Sequence, residues 1–105
     1  MDILTGKLLA VVMIGSTHYV DVGQGEDAVI YYPNETVAHM QLPKADAPLT
    51  GKVTLKDDGY YVKWDGGPEG FWKISYVPGT FTYINPEGEA VGTITRLVPG
   101  NAAGF

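Results

Sequence analysis

Residues 49–96 decide the fold, because short strand-like runs alternate there with turn residues. The runs read LTGKVTL (49–55), YYVKW (60–64), FWKISYV (71–77), TFTYI (80–84) and VGTITR (91–96). They are separated by DDG (57–59), DGGPEG (65–70), PG (78–79) and NPEG (85–88). Runs rich in β-branched and aromatic residues, bounded by Gly, Pro, Asp and Asn, are typical of an antiparallel meander.

The same pattern continues upstream in shorter and less regular runs. Residues 28–32 (AVIYY) and 36–42 (TVAHMQL) have the composition of strands, and residues 18–22 (HYVDV) alternate weakly. These runs predict an all-β chain of about eight short strands joined by hairpins, with no helix. Because closure removes exposed sheet edges, we expect residues 1–105 to form one small antiparallel up-and-down barrel. A barrel of eight strands has room for its own side chains or for one small ligand.

The first apolar segment, residues 3–14, allows two interpretations. The run from Leu8 to Ile14 is continuous, and such a run can be a buried strand or a short helix. Gly6 and the β-branched residues toward the end of the run favour a strand. The run is too short to span a bilayer, and Asp2 lies where a signal peptide carries positive charge. We therefore expect no membrane partner, and the lack of a clear signal peptide favours a cytoplasmic location.

Composition and charge exclude several kinds of partner and chemistry. The chain has 105 residues, a net charge of -5 and no cysteine. Its few Lys and Arg residues are scattered, so it lacks the basic surface that a nucleic-acid backbone requires. The absence of cysteine excludes disulfides and thiolate chemistry. We therefore expect no nucleic-acid partner.

Short motifs spread over much of the chain carry a resemblance to a known group of proteins. They are Leu4-Thr5-Gly6, Gly51-Lys52, Tyr61-Val62-Lys63-Trp64, Phe71-Trp72, Gly79-Thr80-Phe81 and Pro99-Gly100-Asn101. In these motifs the sequence resembles a family of small proteobacterial β-barrel proteins of unknown function that ends in a Pro-Gly-Asn tail. The resemblance implies a small barrel of the lipocalin-like sort, and it carries no catalytic residue.

The aromatic residues of the meander are the strongest candidates for a binding site. Six of them lie on consecutive predicted strands, namely Tyr60, Trp64, Trp72, Tyr76, Phe81 and Tyr83. Cross-strand aromatic pairs stabilise sheets, so these residues could simply form the core. Alternatively, some of them line a pocket, since pockets are mostly apolar with a few placed polar groups. In that case we expect Tyr60, Trp64, Trp72 and Tyr83 to contact the ligand, and Arg96 or Lys63 to anchor an anionic or hydroxylated group.

His39 is the best candidate for acid–base chemistry. It lies in the middle of a predicted strand, and histidine titrates near neutral pH. Tyr31 and Glu35 are its expected neighbours across the turn at Pro33. These residues, together with Arg96, could form the site of a barrel lyase, isomerase or cyclase. The alternative is a histidine that is simply satisfied within its strand.

A metal site would require the two histidines and nearby carboxylates to converge. The carboxylates close to His18 and His39 in sequence are Asp21, Glu26, Asp27 and Glu35. Two histidines and a carboxylate can hold a metal ion. However, His18 and Asp21 lie three residues apart in a predicted strand and therefore face opposite sides of the sheet. We predict two half-exposed histidines, no metal and no cofactor.

Three functions are compatible with these observations. The first is a barrel that binds a small aromatic or anionic ligand, or a partner protein. The second is a barrel enzyme that uses His39. The third is a structural module that self-associates as a homodimer through the apolar run at Leu8. A ligand-binding barrel should have a cavity lined by Trp64 or Trp72, an enzyme should turn His39 toward that cavity, and a structural module should have a filled interior.

Overall fold

The computed structural model describes residues 2–23, 25–67 and 69–105, which form nine strands and one short helix. In chain order these are β1 (Asp2–Ile3), α1 (Gly6–Met13), β2 (Ser16–Asp21), β3 (Asp27–Tyr31), β4 (Val37–Gln41), β5 (Leu49–Leu55), β6 (Tyr60–Trp64), β7 (Glu69–Val77), β8 (Thr80–Ile84) and β9 (Ala90–Pro99). Of the loop predicted at residues 65–70, Glu69 and Gly70 belong to β7. Residues 65–68 join β6 to β7, and residues 22–26 join β2 to β3. Gln24 and Pro68, within these two connections, lie outside the described residues.

Strands β2 to β9 form a closed antiparallel barrel. Each strand pairs with the next one along the chain, and β9 pairs back with β2 to close the circle. The closing pair runs from Ser16 opposite Pro99 to Asp21 opposite Thr93. Strand β1 adds a short edge to the end of β7, where Ile3 lies opposite Ser75. The prediction of eight short antiparallel strands that close into a barrel is confirmed.

The meander gives the barrel two different ends. At one of them, which we call the helix end, lie α1 and the connections at residues 32–36, 56–59 and 78–79. Backbone hydrogen bonds hold α1 there: Gly6 N–H donates to the Asp57 carbonyl at 2.7 Å, and Gly15 N–H donates to the Tyr32 carbonyl at 2.7 Å. At the opposite end, which we call the loop end, lie the four connections at residues 22–26, 42–48, 65–68 and 85–89.

The first apolar segment contains a helix, so the predictions of a strand over residues 3–14 and of a chain without helix are wrong. Leu9 and Met13 lie four residues apart on one face of α1 and are completely buried in the core. Leu8 and Val11, on the outer face, are 66% and 73% exposed. Burial of one face against the barrel stabilises this helix, although its valines favour strands. Within the described residues, no helix has the length and apolarity needed to cross a membrane.

The core follows from the alternation of side chains along each strand. In β6, Tyr60, Val62 and Trp64 are buried while Lys63 is exposed. In β4, Ala38 and Met40 are buried and His39 is turned toward the outer surface. Both patterns follow from strand geometry, because successive residues of a strand point to opposite sides of the sheet.

Candidate functional site

The barrel contains a cavity of about 250 Å³. Its lining is made of aliphatic and aromatic side chains, without a charged group among the described residues. These side chains belong to Val20, Val22, Ala28, Ile30, Tyr32, Met40, Leu42, Tyr60, Val62, Trp64, Trp72, Tyr83 and Val91. Val91, at the loop end of β9, is 40% exposed. The cavity therefore opens toward the loop end of the barrel.

Alternation on neighbouring strands brings the predicted aromatic residues to this cavity. Tyr60 and Trp64 share the inner face of β6, and Trp72 lies directly opposite Tyr60 in the β6–β7 register. Tyr83 is buried on β8 and reaches the same cavity. All four aromatic residues that the sequence suggests as ligand contacts thus line one cavity.

A chain of hydrogen bonds between buried polar groups forms the floor of the cavity, which faces the helix end. The hydroxyl oxygens of Tyr60 and Tyr32 lie 2.9 Å apart, and those of Tyr32 and Tyr83 lie 3.4 Å apart. The Tyr83 hydroxyl lies 2.6 Å from Nδ1 of His18. The other ring nitrogen of His18, Nε2, lies 3.0 Å from the carbonyl oxygen of Val12 in α1. The chain therefore links the cavity floor to the backbone of the helix.

The carbonyl of Val12 determines the direction of every bond in this chain. A carbonyl only accepts, so Nε2 of His18 carries the ring proton and donates it to Val12. In the neutral ring Nδ1 then accepts from the Tyr83 hydroxyl. The Tyr83 oxygen accepts from Tyr32, and the Tyr32 oxygen accepts from Tyr60. Every hydroxyl proton in the chain thus has an acceptor.

Burial keeps this network uncharged at neutral pH. Desolvation of the completely buried ring lowers the pKa of His18 to about 4, against the opposing effect of its hydrogen bonds to the α1 backbone. Desolvation also raises the pKa values of Tyr32, Tyr60 and Tyr83 well above 10.0. A ligand in the cavity therefore meets neutral hydroxyl groups at the floor and apolar walls around it.

The complete burial of His18 is not apparent from the sequence. The expectation of two half-exposed histidines is wrong for His18, which is completely buried, whereas Asp21 three residues later is exposed. The sequence feature that indicates burial of His18 is its spacing from Val20. Residues two apart in a strand share a face, and Val20 is a core residue. Within the described residues, no group of three His, Asp or Glu side chains is close enough to hold a metal ion.

The three residues proposed for acid–base chemistry lie outside the cavity. The His39 ring stacks between Tyr31 and Phe105 on the outer surface, with ring centroids 6.4 Å and 5.8 Å away, respectively. Its Nδ1 lies 3.2 Å from the Thr50 hydroxyl oxygen. Glu35 is exposed in the turn between β3 and β4. The structure thus brings His39 and Tyr31 together, but turns them away from the interior.

Arg96 also lies outside the cavity, where it cannot anchor a ligand bound inside. Its guanidinium carbon lies 4.1 Å from the centroid of the Tyr19 ring. The cause is a bulge in the closing pair, where Tyr19 lies opposite Arg96 but Val20 lies opposite Ile94. The extra residue reverses the alternation, so Arg96 faces outward even though Ile94, two residues earlier, is buried. Lys63, the other suggested anchor, is exposed on the outer face of β6.

Negative charge is concentrated at the loop end, where the cavity opens. Eight of the twelve Asp and Glu residues lie in the loop-end connections or at the strand ends that flank them: Asp21, Glu26, Asp27, Asp46, Asp65, Glu69, Glu87 and Glu89. All eight are exposed. Among the described residues, the basic residues at this end are Lys44, in a connection, and Lys63, which lies opposite Glu69 in the β6–β7 register. The opening of the cavity is therefore strongly acidic, whereas most of the basic residues lie elsewhere.

Comparison with known proteins yields a partial match. No family model matches the chain, and no solved structure matches it. A phosphoserine aminotransferase of Haemophilus ducreyi is 34% identical over 58 residues, which cover 55% of this chain and 16% of that protein. The match thus spans less than a fifth of that relative's length and does not show the family of this chain.

Proposed function

We propose that this barrel is a binding module for a small ligand with an apolar, aromatic body. The observation that carries the proposal is the cavity of about 250 Å³ between Trp64, Trp72 and the tyrosines of the floor. A filled interior would instead have favoured a purely structural module. Because an apolar cavity gives water few hydrogen bonds, an organic ligand is its better occupant.

The volume limits the size of the ligand. An apolar cavity of about 150 Å³ in another protein is large enough to bind benzene. A cavity of about 250 Å³ therefore accommodates one ring with a short substituent, or two fused rings.

The chemistry of the lining favours an aromatic body without charge. Trp64 and Trp72 offer large flat surfaces for offset or edge-on contact with a ring. A charge placed among these side chains would lose its hydration without gaining a partner. An anionic group has no cationic partner in the cavity, since Arg96 lies outside it on Tyr19. The proposal therefore keeps the aromatic ligand of the sequence analysis and omits the buried anionic group.

Calorimetric titration with benzene, toluene and naphthalene tests this proposal. We expect saturable binding with one site for each chain, and quenching or a spectral shift of the fluorescence of Trp64 and Trp72. The variant Ala28→Phe places a ring in the cavity and should abolish binding, because Ala28 is a buried lining residue. The matched control Ala102→Phe adds the same ring at an exposed position in the C-terminal segment and should bind as the wild type does.

The results decide the proposal in both directions. If none of the three ligands binds the wild type saturably, the cavity is not a site for aromatic ligands. If Ala28→Phe folds and still binds with unchanged affinity, the ligand occupies another place. Should Ala28→Phe fail to fold, Val62→Phe fills the same cavity from β6 and allows the same comparison.

The other two functions stay predictions with less support. An acid–base enzyme would need His39 at the cavity, and the described lining does not include His39. Chemical conversion of a bound ligand would support that hypothesis instead. Self-association is favoured by the exposed outer face of α1, where Leu8 and Val11 lie. Sedimentation of the wild-type chain at several concentrations would detect a homodimer.

A further inference from the structure

We propose that the ligand of this cavity is an amphiphilic cation, whose aromatic body lies inside the barrel and whose ammonium group lies at the loop end. This inference rests on the proposed function, since it assigns the charge of the ligand that the same cavity binds. Two independent features support a cationic ligand: the uncharged interior of the cavity and the acidic loop end. Neither feature alone would determine the class of ligand.

The interior determines where a charged group of the ligand can lie. Among the described residues, the cavity lining has no charged side chain, and its floor ends in the neutral hydroxyls of Tyr32, Tyr60 and Tyr83. A charged group at that depth would be desolvated without a counter-charge. The ligand must therefore enter with its apolar part first and leave any charged group at the opening, in contact with water.

The opening determines the sign of that charge. The eight exposed carboxylates lie in the four loop-end connections or at the strand ends that flank them, where Lys44 and Lys63 are the basic residues among those described. Clefts bordered by charges of one sign create potentials of several kT and concentrate ions of the opposite sign. An ammonium group at the opening is attracted by this potential, and a carboxylate is repelled.

The basic residues do not cancel this potential. Lys63 lies on the outer face of β6, where it offsets one carboxylate, that of Glu69 opposite it. Arg96 is stacked on Tyr19, and Lys73 forms an ion pair with Asp58 at 3.3 Å, next to a helix-end turn. Interactions between exposed charges more than about 8 Å apart are largely screened at physiological salt, and the loop end holds eight carboxylates against two lysines among the described residues.

The aromatic walls add a second attraction for a cation. Trp64 is the last residue of β6 at the loop end, and Trp72 lies on the neighbouring strand in the same lining. The face of an indole ring attracts an ammonium group within about 6 Å of its centroid. An aromatic ammonium compound can therefore fill the cavity with its ring and hold its charge at the end of the barrel where Trp64 and the carboxylates lie.

Three ligands of nearly equal size and different charge test the inference. The cation is 2-phenylethylammonium, the neutral analogue is 2-phenylethanol and the anion is phenylacetate. In calorimetric titrations at low salt we expect the cation to bind about three- to tenfold more tightly than the alcohol, and the anion to bind most weakly. In 1 M NaCl the cation and the alcohol should bind with similar affinity, because salt screens the carboxylates.

Two matched double variants locate the effect at the opening. Asp65→Asn with Glu87→Gln removes two loop-end charges and should weaken binding of the cation, with the affinity for the alcohol unchanged. The control, Glu35→Gln with Asp57→Asn, removes two exposed charges at the helix end and should leave both affinities close to those of the wild type.

Each outcome separates this inference from the proposed function. Equal binding of cation and alcohol at low salt, or tightest binding of phenylacetate, overturns the cationic ligand and leaves the aromatic cavity intact. If none of the three ligands binds, and the neutral hydrocarbons also fail, the proposed function falls together with the inference. An equal loss of cation affinity in both double variants would show that net charge, rather than the opening, is responsible.

Discussion

Lowering the pH from 7 to 5 is expected to destabilise the folded chain through His18. The ring is completely buried, and desolvation lowers its pKa from 6.5 to about 4. In the unfolded chain the same ring takes up a proton at its ordinary pKa near 6.5. Between pH 6.5 and pH 4 the unfolded state therefore binds more protons than the folded state. The stability that is present above pH 6.5 is lost as the pH falls through this window.

The expected loss follows from the two pKa values of His18. With pKa values of 6.5 and about 4, proton linkage gives a decrease of about 2 kcal/mol in the free energy of unfolding between pH 7 and pH 5. For a chain of this size, that corresponds to a decrease of roughly 10 °C in Tm. Protonation would also deprive the Tyr83 hydroxyl proton of its acceptor, since both nitrogens of the charged ring are donors.

Urea unfolding at pH 7, 6 and 5 measures this effect in the wild type and two variants. His18→Gln removes the titrating ring, so its stability should fall with pH by about 2 kcal/mol less than that of the wild type. His39→Gln removes the histidine on the outer surface and should keep the dependence of the wild type. Subtraction of the variant from the wild type cancels the effect of the carboxylates that all three chains share.

The reasoning would be refuted if His18→Gln and the wild type lost the same free energy between pH 7 and pH 5. If His18→Gln does not fold, the titration of His18 can be followed directly in the wild type by nuclear magnetic resonance. A ring that becomes protonated near pH 6.5 in the folded chain would contradict the buried, neutral histidine that the structure shows.

Two further substitutions test the helix and the close packing of the barrel wall. Leu9→Ala should lower the free energy of unfolding by about 2–5 kcal/mol, because Leu9 is completely buried. Leu8→Ala, on the exposed face, should change it by less than about 0.5 kcal/mol. Equal losses for the two variants in thermal unfolding would contradict the packing of α1 on the core. Gly51→Ala should cost about 1–3 kcal/mol and alter tryptophan fluorescence, because a Cβ at Gly51 would lie 2.7 Å from Cε3 of Trp64. Lys52→Ala, at an exposed position on the same strand, is the control. If Gly51→Ala left both the fluorescence spectrum and the stability unchanged, Trp64 would not be held against the β5 backbone.

The barrel and its aromatic wall could be predicted because their signals are local. Alternation along β6 and the hairpin turns around it need only neighbouring residues, and they place Tyr60 and Trp64 on the inner face. The next strand then brings Trp72 opposite Tyr60. Close approach of the backbone at Gly51 was predictable for the same reason, since glycine within a strand indicates it.

The errors arise where a distant contact overrides the local pattern. The valines of α1 favour a strand. Packing against the helix end of the barrel nevertheless stabilises a helix, which buries Leu9 and Met13. Alternation alone would place Arg96 on the same face as Ile94, but a bulge against Tyr19 turns it outward. Neither the packing of α1 on the helix end nor the bulge can be recognised from residues that are adjacent in sequence.

The antiparallel barrel and the aromatic residues that line it thus follow from local sequence patterns, because strand periodicity and turn chemistry act over a few residues. The hydrogen-bonded floor of the cavity and the acidic loop end depend instead on contacts between distant parts of the chain. His18 meets Tyr83 across 65 residues of sequence, and four separate connections bring the carboxylates to one opening. Hydrogen bonds and electrostatic potentials depend on distance in space, and closure of the barrel sets those distances.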